Sequence, residues 1–375
     1  MLIRLLALAA GFFLSMPSMS ETGVAENTIL IGQTLSLEDG RNVYGVAAAQ
    51  GAKLYIDQVN ADGGIHGRKI ILKVMDDGAQ AAQAASNARQ LVRDGVFILF
   101  GSIEGGPSTA VAEVANEAKV PFFGPMAGSP TLRRPHQPYV FPVRAEHREE
   151  FRALMNWGKR TGLTTLGMLY ADTPVGKAHL ENVQRIATEL GMTLTAGIPF
   201  KGDIDDAQIE QFARIIADKS PAMFFNHGSS GVYQRLIAKA HAMGLKTTFM
   251  GVNSGSTQIA EKLGPIAHGM VFSQVVPNPR ERKHAVSREF QDAMARMGQN
   301  IPLSYGALEG FLTAKALVAG LRATGPGLSR SALIRTLEGS RFDLGGVKVQ
   351  YAPGNHEGSH FVDLSIVAGN GRFVH

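Results

Sequence analysis

Residues 51–78 read GAKLYIDQVNADGGIHGRKIILKVMDDG, and this stretch decides the fold. Ala52, Tyr55, Ile56 and Val59 recur at helical spacing and give a helix one apolar face. Gly63-Gly64 stops that helix, and the polar turn Ile65-His66-Gly67-Arg68 follows. An apolar run from Ile70 to Met75 comes next and breaks at Asp76-Asp77-Gly78. The block reads as one helix-to-strand step of a parallel sheet.

Outward from this block the same alternation continues. Strands are expected at 29–35, 70–75, 96–100 and 120–123, with helices near 43–60, 79–93 and 107–119 between them. That is a doubly wound α/β unit. The pattern restarts with strands at 165–170, 193–198, 222–225 and 247–250 and helices near 176–190, 204–219 and 231–243. A chain of 375 residues exceeds the size at which one core keeps growing, so two α/β lobes are expected. Helices near 281–297, 302–323 and 329–337 follow, and the tail reads as strand or hairpin at 347–351 and 361–368.

The 51–78 block, together with Gly244-Leu245-Lys246-Thr247-Thr248-Phe249-Met250-Gly251, resembles type I periplasmic solute-binding proteins. These are the branched-chain amino acid (Leu/Ile/Val) binding family that feeds ABC importers, and the resemblance spans residues 26–370. It implies two doubly wound, Rossmann-like lobes joined by three crossovers, placed near Val143, Gln274 and Gly346. The expected division is a leader at 1–20, a first lobe from 27–143 with 275–346, and a second from 144–274 with 347–375. The implied function is capture of a small organic ligand, amino-acid-like, carboxylate or amide, for delivery to ABC permease subunits in the inner membrane. A monomer that does no chemistry and carries no cofactor is implied. A ligand-sensing subunit for a membrane receptor keeps the fold but not the transport. A secreted hydrolase is disfavoured by the lack of a convincing nucleophile, base and orienting group.

The N-terminus fits export. Arg4 supplies a positive start, Leu5 to Met16 form a short apolar run, and Ser18 and Ser20 are small residues before a cut ahead of Glu21. The chain has no cysteine, which excludes disulfides, thiol catalysis, cysteine-based zinc sites and a lipid-anchored N-terminal cysteine. A periplasmic location without a lipid anchor is therefore expected. The leader carries Arg4 alone of the 37 basic residues and none of the 32 acidic ones, which leaves a mature net charge of +4. That balance does not suggest nucleic-acid binding. The basic clusters Arg133-Arg134 and Arg280 to Lys283 read as solvated residues.

In open parallel sheets, ligands bind outside the carboxyl ends of the strands. The loops Gly101-Ser102-Ile103-Glu104-Gly105-Gly106-Pro107-Ser108 and Gly124-Pro125-Met126-Ala127-Gly128-Ser129 occupy that position in the first lobe. Pro107 suits a first helical position, so Gly105, Gly106, Ser108 and Thr109 form either a carboxylate cradle or an ordinary capped turn. By resemblance, amino-acid binders place a hydroxyl residue at Gly105, a threonine near Gly128 and an acidic residue at Asn253. All three are absent here. An ammonium then has no evident buried partner unless Glu104, Asp172 or Glu309 takes that role. The other expected wall residues are Tyr44, Ala127, Ser129, Tyr170, Val175, His227, Ser229, Ser230 and Gln274. His227 is either a carboxylate partner or a structural histidine, and Arg41 either an anion partner or a solvated cation.

No metal site is expected. His356-Glu357-Gly358-Ser359-His360 satisfies the spelling H-E-x-x-H, but Gly358 lies inside it and the flanks read as strands, so the imidazoles lack a shared helix face. The lone Trp157 reads as the inner side of a helix with Phe151, Leu154 and Met155. N-terminal sequencing of periplasmic material should begin at Glu21, or failing that at Met19; a start at Met1 would remove the export reading.

Overall fold

A computed structural model describes residues 21–37, 43–202, 204–227, 230–252 and 256–374. The leader at 1–20 lies outside the described residues, as do Arg41, Ser229 and Asn253. The chain opens with β1 (Thr28–Leu35), α1 (Val43–Ala61), β2 (Lys69–Asp76), α2 (Ala81–Arg93), β3 (Ile98–Phe100), α3 (Gly105–Ala118), β4 (Phe122–Phe123) and β5 (Val140–Phe141). Their strands form one parallel sheet in the order β2-β1-β3-β4-β5.

The second lobe repeats the plan with α4 (His147–Arg160), β6 (Thr165–Ala171), α5 (Pro174–Leu190), β7 (Thr193–Phe200), α6 (Asp206–Lys219), β8 (Met223–His227), α7 (Ser230–Ala242), β9 (Thr248–Gly251), α8 (Ser256–Leu263) and β10 (Val271–Gln274). Its parallel strands run β7-β6-β8-β9-β10, so the strand order matches that of the first lobe. In each lobe the connections leave in opposite directions at one point, between β1 and β3 and between β6 and β8. A crevice opens there at the carboxyl ends of the strands.

Three helices then return to the first lobe: α9 (Ala285–Met297), α10 (Tyr305–Thr324) and α11 (Arg330–Glu338). Val286, Phe290, Phe311, Leu312 and Leu333 share a core with Ile29, Ile31, Leu54 and Phe100. A small antiparallel sheet of β11 (Arg341–Asp343), β12 (Lys348–Ala352) and β13 (Asn355–Gly358) follows. Finally β14 (Asp363–Val367) and β15 (Phe373–Val374) extend the second sheet antiparallel to β10. Val349 and Tyr351 sit in the first lobe's core, and the Tyr351 hydroxyl donates to the Pro142 carbonyl at 2.9 Å. The third crossing therefore falls at 359–362, later than the expected Gly346. The hairpin that looked like second-lobe structure packs its apolar face on β5 instead.

The 51–78 block folds as its pattern requires, with one difference. Asn60, near the end of α1, accepts from Ile70 N at 2.8 Å and donates to Ile70 O at 2.9 Å, which ties the helix to the start of β2. Gly64 has φ +78°, and a side-chain carbon there would lie 2.1 Å from the Arg68 carbonyl oxygen. Glycine is required at that turn. The difference is that β2 stands at the sheet's edge, so Ile71 and Val74 are 46% and 41% exposed despite the apolar run.

Helix α10 is buried almost all round, as expected of a helix apolar on every side. It packs against α1 through glycines. A carbon added at Gly310 would lie 1.9 Å from the Ala48 carbonyl oxygen, and one at Gly51 would lie 1.8 Å from that of Ala307. The obstacles are backbone and cannot step aside. Gly310→Ala should therefore destabilise the protein by at least about 1–3 kcal/mol, the usual cost of overpacking a core. Urea unfolding followed by far-UV circular dichroism measures this.

Candidate functional site

The first lobe's side of the crevice is built from the loops after β3 and β4. Glu104 precedes α3 with φ 63° and ψ 151°, an unusual conformation for a residue with a side chain, and it is exposed. The Ser108 hydroxyl is buried and shares a hydrogen bond of 2.6 Å with Ser102. Thr109, Thr131 and Ser129 form a hydroxyl chain at 2.7 and 2.8 Å. A small apolar cluster of Leu35, Ile103 and Met126 supports this side, with Leu37 and Tyr44 against it.

Two glycines of these loops, Gly105 and Gly128, have different surroundings. A carbon at Gly105 would meet Ser129 Cβ at 3.7 Å and Val175 Cγ1, from the second lobe, at 3.8 Å. Those are ordinary contacts, so Gly105 leaves room across the crevice where the lobes approach. At Gly128 the carbon would lie 2.6 Å from Cγ of His147. The imidazole of His147 fills the space a threonine would need.

Behind these loops runs a buried ionic network at the crossings. Arg144 is 2% exposed and Glu150 and Glu309 are 0% and 1% exposed. The Arg144 guanidinium donates to Glu150 Oε1 and lies 3.8 Å from Glu309 Oε1 through Nη1. Glu309 accepts from the Tyr44 hydroxyl, and Glu150 Oε2 accepts from Ser273 Oγ at 2.7 Å. Glu309 and Tyr44 come from the first lobe, Glu150 and Ser273 from the second. The paired charges make Arg144 hold its proton more tightly than usual despite the opposing effect of burial. Glu309 is therefore engaged within the network, and Asp172 is paired with Lys177 at 3.0 Å and Lys201 at 3.2 Å.

Arg133 contradicts the expectation of a solvated cluster. It is 5% exposed, donates to the carbonyls of Ser129 at 3.2 Å and Arg144 at 2.8 Å, and leaves Nε buried without a partner among the described residues. Burial lowers its pKa to about 10. Its neighbour Arg134 does pair, with Glu146 and with Glu357 at 3.1 Å. The turn after β4 folds Arg133 inward against the backbone that carries Ser129.

On the second lobe, Tyr170 and Val175 are half-buried at the end of β6 and the start of α5. Thr173 caps that helix by accepting from Gly176 N at 3.1 Å. Asn226 is 8% exposed with Oδ1 lacking a partner among the described residues. Gln274 is turned into the lobe: its amide donates to Ser365 Oγ at 2.9 Å, and it is 0% exposed. Ser230 opens α7. His227 does not stand alone. Its ring lies 3.6 Å from that of His179 and 5.0 Å from that of His147, centroid to centroid. His147 and His179 were not read as functional, because they lie 32 residues apart on different helices in no motif and meet only through the fold.

The H-E-x-x-H spelling begins in β13 and runs past its end, and His356 faces Val140 O at 2.9 Å through Nδ1 and Glu338 Oε1 at 3.1 Å through Nε2. Both of its ring nitrogens are occupied structurally.

Two similar doubly wound lobes that face each other across a cleft and share buried crossings define a bilobal solute-binding protein. The sequence profile described as periplasmic binding protein matches residues 29–371, and the chain belongs to that family, the solute-binding components of ABC transporters. It is 25% identical over 331 residues to the Leu/Ile/Val-binding protein BraC3 of Rhizobium johnstonii, covering 86% of each chain. A substrate-binding periplasmic protein from Ralstonia solanacearum superposes with a TM-score of 0.82 at 27% identity, over 92% of this chain and 99% of that one. A solute-binding protein from R. palustris in complex with benzoate has the same fold, with a TM-score of 0.78 at 19% identity over 93% and 95% of the two chains. No helix among the described residues is long and apolar enough to cross a membrane.

The network at the crossings makes a direct stability prediction. Glu150→Gln leaves Arg144 buried with its nearest carboxylate neutralised, and breaking such a pair costs about 3–5 kcal/mol. Urea denaturation should show that loss, while Arg152→Ala, at an exposed pair with Glu189, should change stability by under about 1 kcal/mol.

Proposed function

We propose that this protein captures a small carboxylate-bearing or neutral organic molecule and hands it to inner-membrane ABC permease subunits, doing no chemistry on it. The observation that carries the ligand class is the engagement of the acidic groups around the cleft. Glu309 is committed to Arg144 and Tyr44, and Asp172 to two lysines. Glu104 is exposed, so an ammonium placed on it stays in water. A desolvated ammonium without a committed anion costs several kcal/mol. An anion faces the opposite situation, with the start of α3 and the buried Arg133 behind Ser129 both favouring negative charge.

The ligand is held by Tyr44, Gly105, Gly106, Ser108, Ala127, Gly128 and Ser129 on the first lobe. Tyr170, Val175 and His227 contribute from the second, with Gln274 behind them, and the family resemblance assigns Ser229, Ser230 and Asn253 to the same set. Closure of the lobes about the three crossings brings the two sets together. The leader read at 1–20 would direct export to the periplasm, where the protein acts as a monomer. The family supports this site of action.

A thermal-shift panel tests the ligand class. Hydroxy acids, aromatic acids and amides should raise the melting temperature more than leucine, isoleucine or valine does. A binder at about 100 times its dissociation constant stabilises by about 2.7 kcal/mol, which such a panel resolves. Submicromolar binding of leucine would overturn the ligand class while leaving the family untouched.

A further inference from the structure

His147, His179 and His227 come from three separate elements: the start of α4, the second turn of α5 and the end of β8. One ring nitrogen from each lies within 4.8 Å of those of the other two. His179 is 0% exposed, and neither of its nitrogens has a hydrogen-bond partner among the described residues. Nδ1 of His227 is likewise buried and unpartnered. Leaving a buried polar atom unpaired costs about 1–3 kcal/mol, so three such atoms at one point need a reason.

Hydrogen bonding among the rings does not supply it, since no bond between them satisfies the His179 nitrogens. Imidazoles ligate metals through a ring-nitrogen lone pair, which unpaired buried nitrogens have free to offer. His147 is oriented for the task as well. Its Nδ1 faces Glu150 Oε1 at 2.8 Å, which fixes that nitrogen as the donor and leaves Nε2 with a free lone pair. A carboxylate behind a ligating histidine is the arrangement that sets tautomer and ring direction in metal sites.

We infer that His147, His179 and His227 bind a divalent transition-metal ion of the imidazole-preferring class, such as zinc or cobalt. Tetrahedral zinc sets its nitrogen ligands about 3.3 Å apart, so the rings, whose nitrogens already lie within 4.8 Å of one another, draw together around the ion. Three protein nitrogens leave a fourth position for water or another oxygen ligand. The site departs from the sequence-based expectation of no metal, and metal uptake by the ligand-free protein reads it apart from the ligand class proposed above. Glu150 joins it to the Arg144 network at the crossings.

The test uses the untagged mature protein, stripped with EDTA, dialysed and titrated with cobalt(II). One equivalent should bind, producing the visible bands of a four- or five-coordinate cobalt centre, and one equivalent of zinc should displace it and raise the melting temperature. His179→Gln and His227→Gln should each weaken cobalt binding at least tenfold, while His356→Gln, whose ring is used structurally, leaves it unchanged. Circular dichroism reports folding of each variant; if His179→Gln does not fold, the half-buried position His227 still gives the readout. Failure of the unmodified protein to take up one equivalent, or undiminished binding in folded His227→Gln, would overturn the site.

Discussion

Arg144 is a cation with almost no access to water, placed where the chain first passes between lobes, and the rest of the molecule is arranged around it. Burying a charge costs several kcal/mol unless opposite charge and hydrogen bonds surround it. Glu150 from α4 and Glu309 from α10 provide that charge. Because α10 belongs to the first lobe and α4 to the second, the requirement to keep Arg144 paired constrains how the lobes sit at their junction. Tyr44, Ser273 and His147 attach to the same two carboxylates and bring the cleft wall, the second crossing and the histidine cluster into one connected set.

That network also limits which acidic groups can meet a ligand. In an open cleft, a carboxylate such as Glu309 would be available to a ligand's ammonium. Here it is committed to Arg144 and Tyr44. The glycine at 128 is tied to the same neighbourhood, because the imidazole of His147 occupies the volume that a side chain there would fill. The absence of a side chain at 128 and the presence of a histidine at 147 are one packing arrangement. Gly105 is different, since its surroundings accept a side chain and its effect is to leave space between Ser129 and Val175.

The two lobes reach the same strand order from unrelated wording, and each core lies on both faces of its sheet. The helices that return after β10 are the most apolar part of the first lobe, and the glycine-mediated contact of α10 with α1 lets two backbones approach closely enough to seal it. A late segment thus completes an early domain. Cutting the chain between the lobes would leave the first sheet without the helix that covers it.

Local sequence determined much of this. The spacing of Ala52, Tyr55, Ile56 and Val59, the Gly63-Gly64 stop and the run at Ile70–Met75 specify a helix and a strand through interactions within a few residues, and the same logic locates most of the other elements. The order of the strands and the crevice at their carboxyl ends follow from the chirality of βαβ connections. What only the tertiary structure decided depends on contacts between distant segments. The run at 70–75 does not announce that its strand is an edge, Arg133 does not announce that its turn folds inward, and Val347 to Ala352 do not announce which lobe they cover. His147, His179 and His227 carry no shared motif, since each is a single residue on its own element. Their meeting is set by the packing of α4 and α5 on β8, a property of the assembled lobe that no local stretch of sequence encodes.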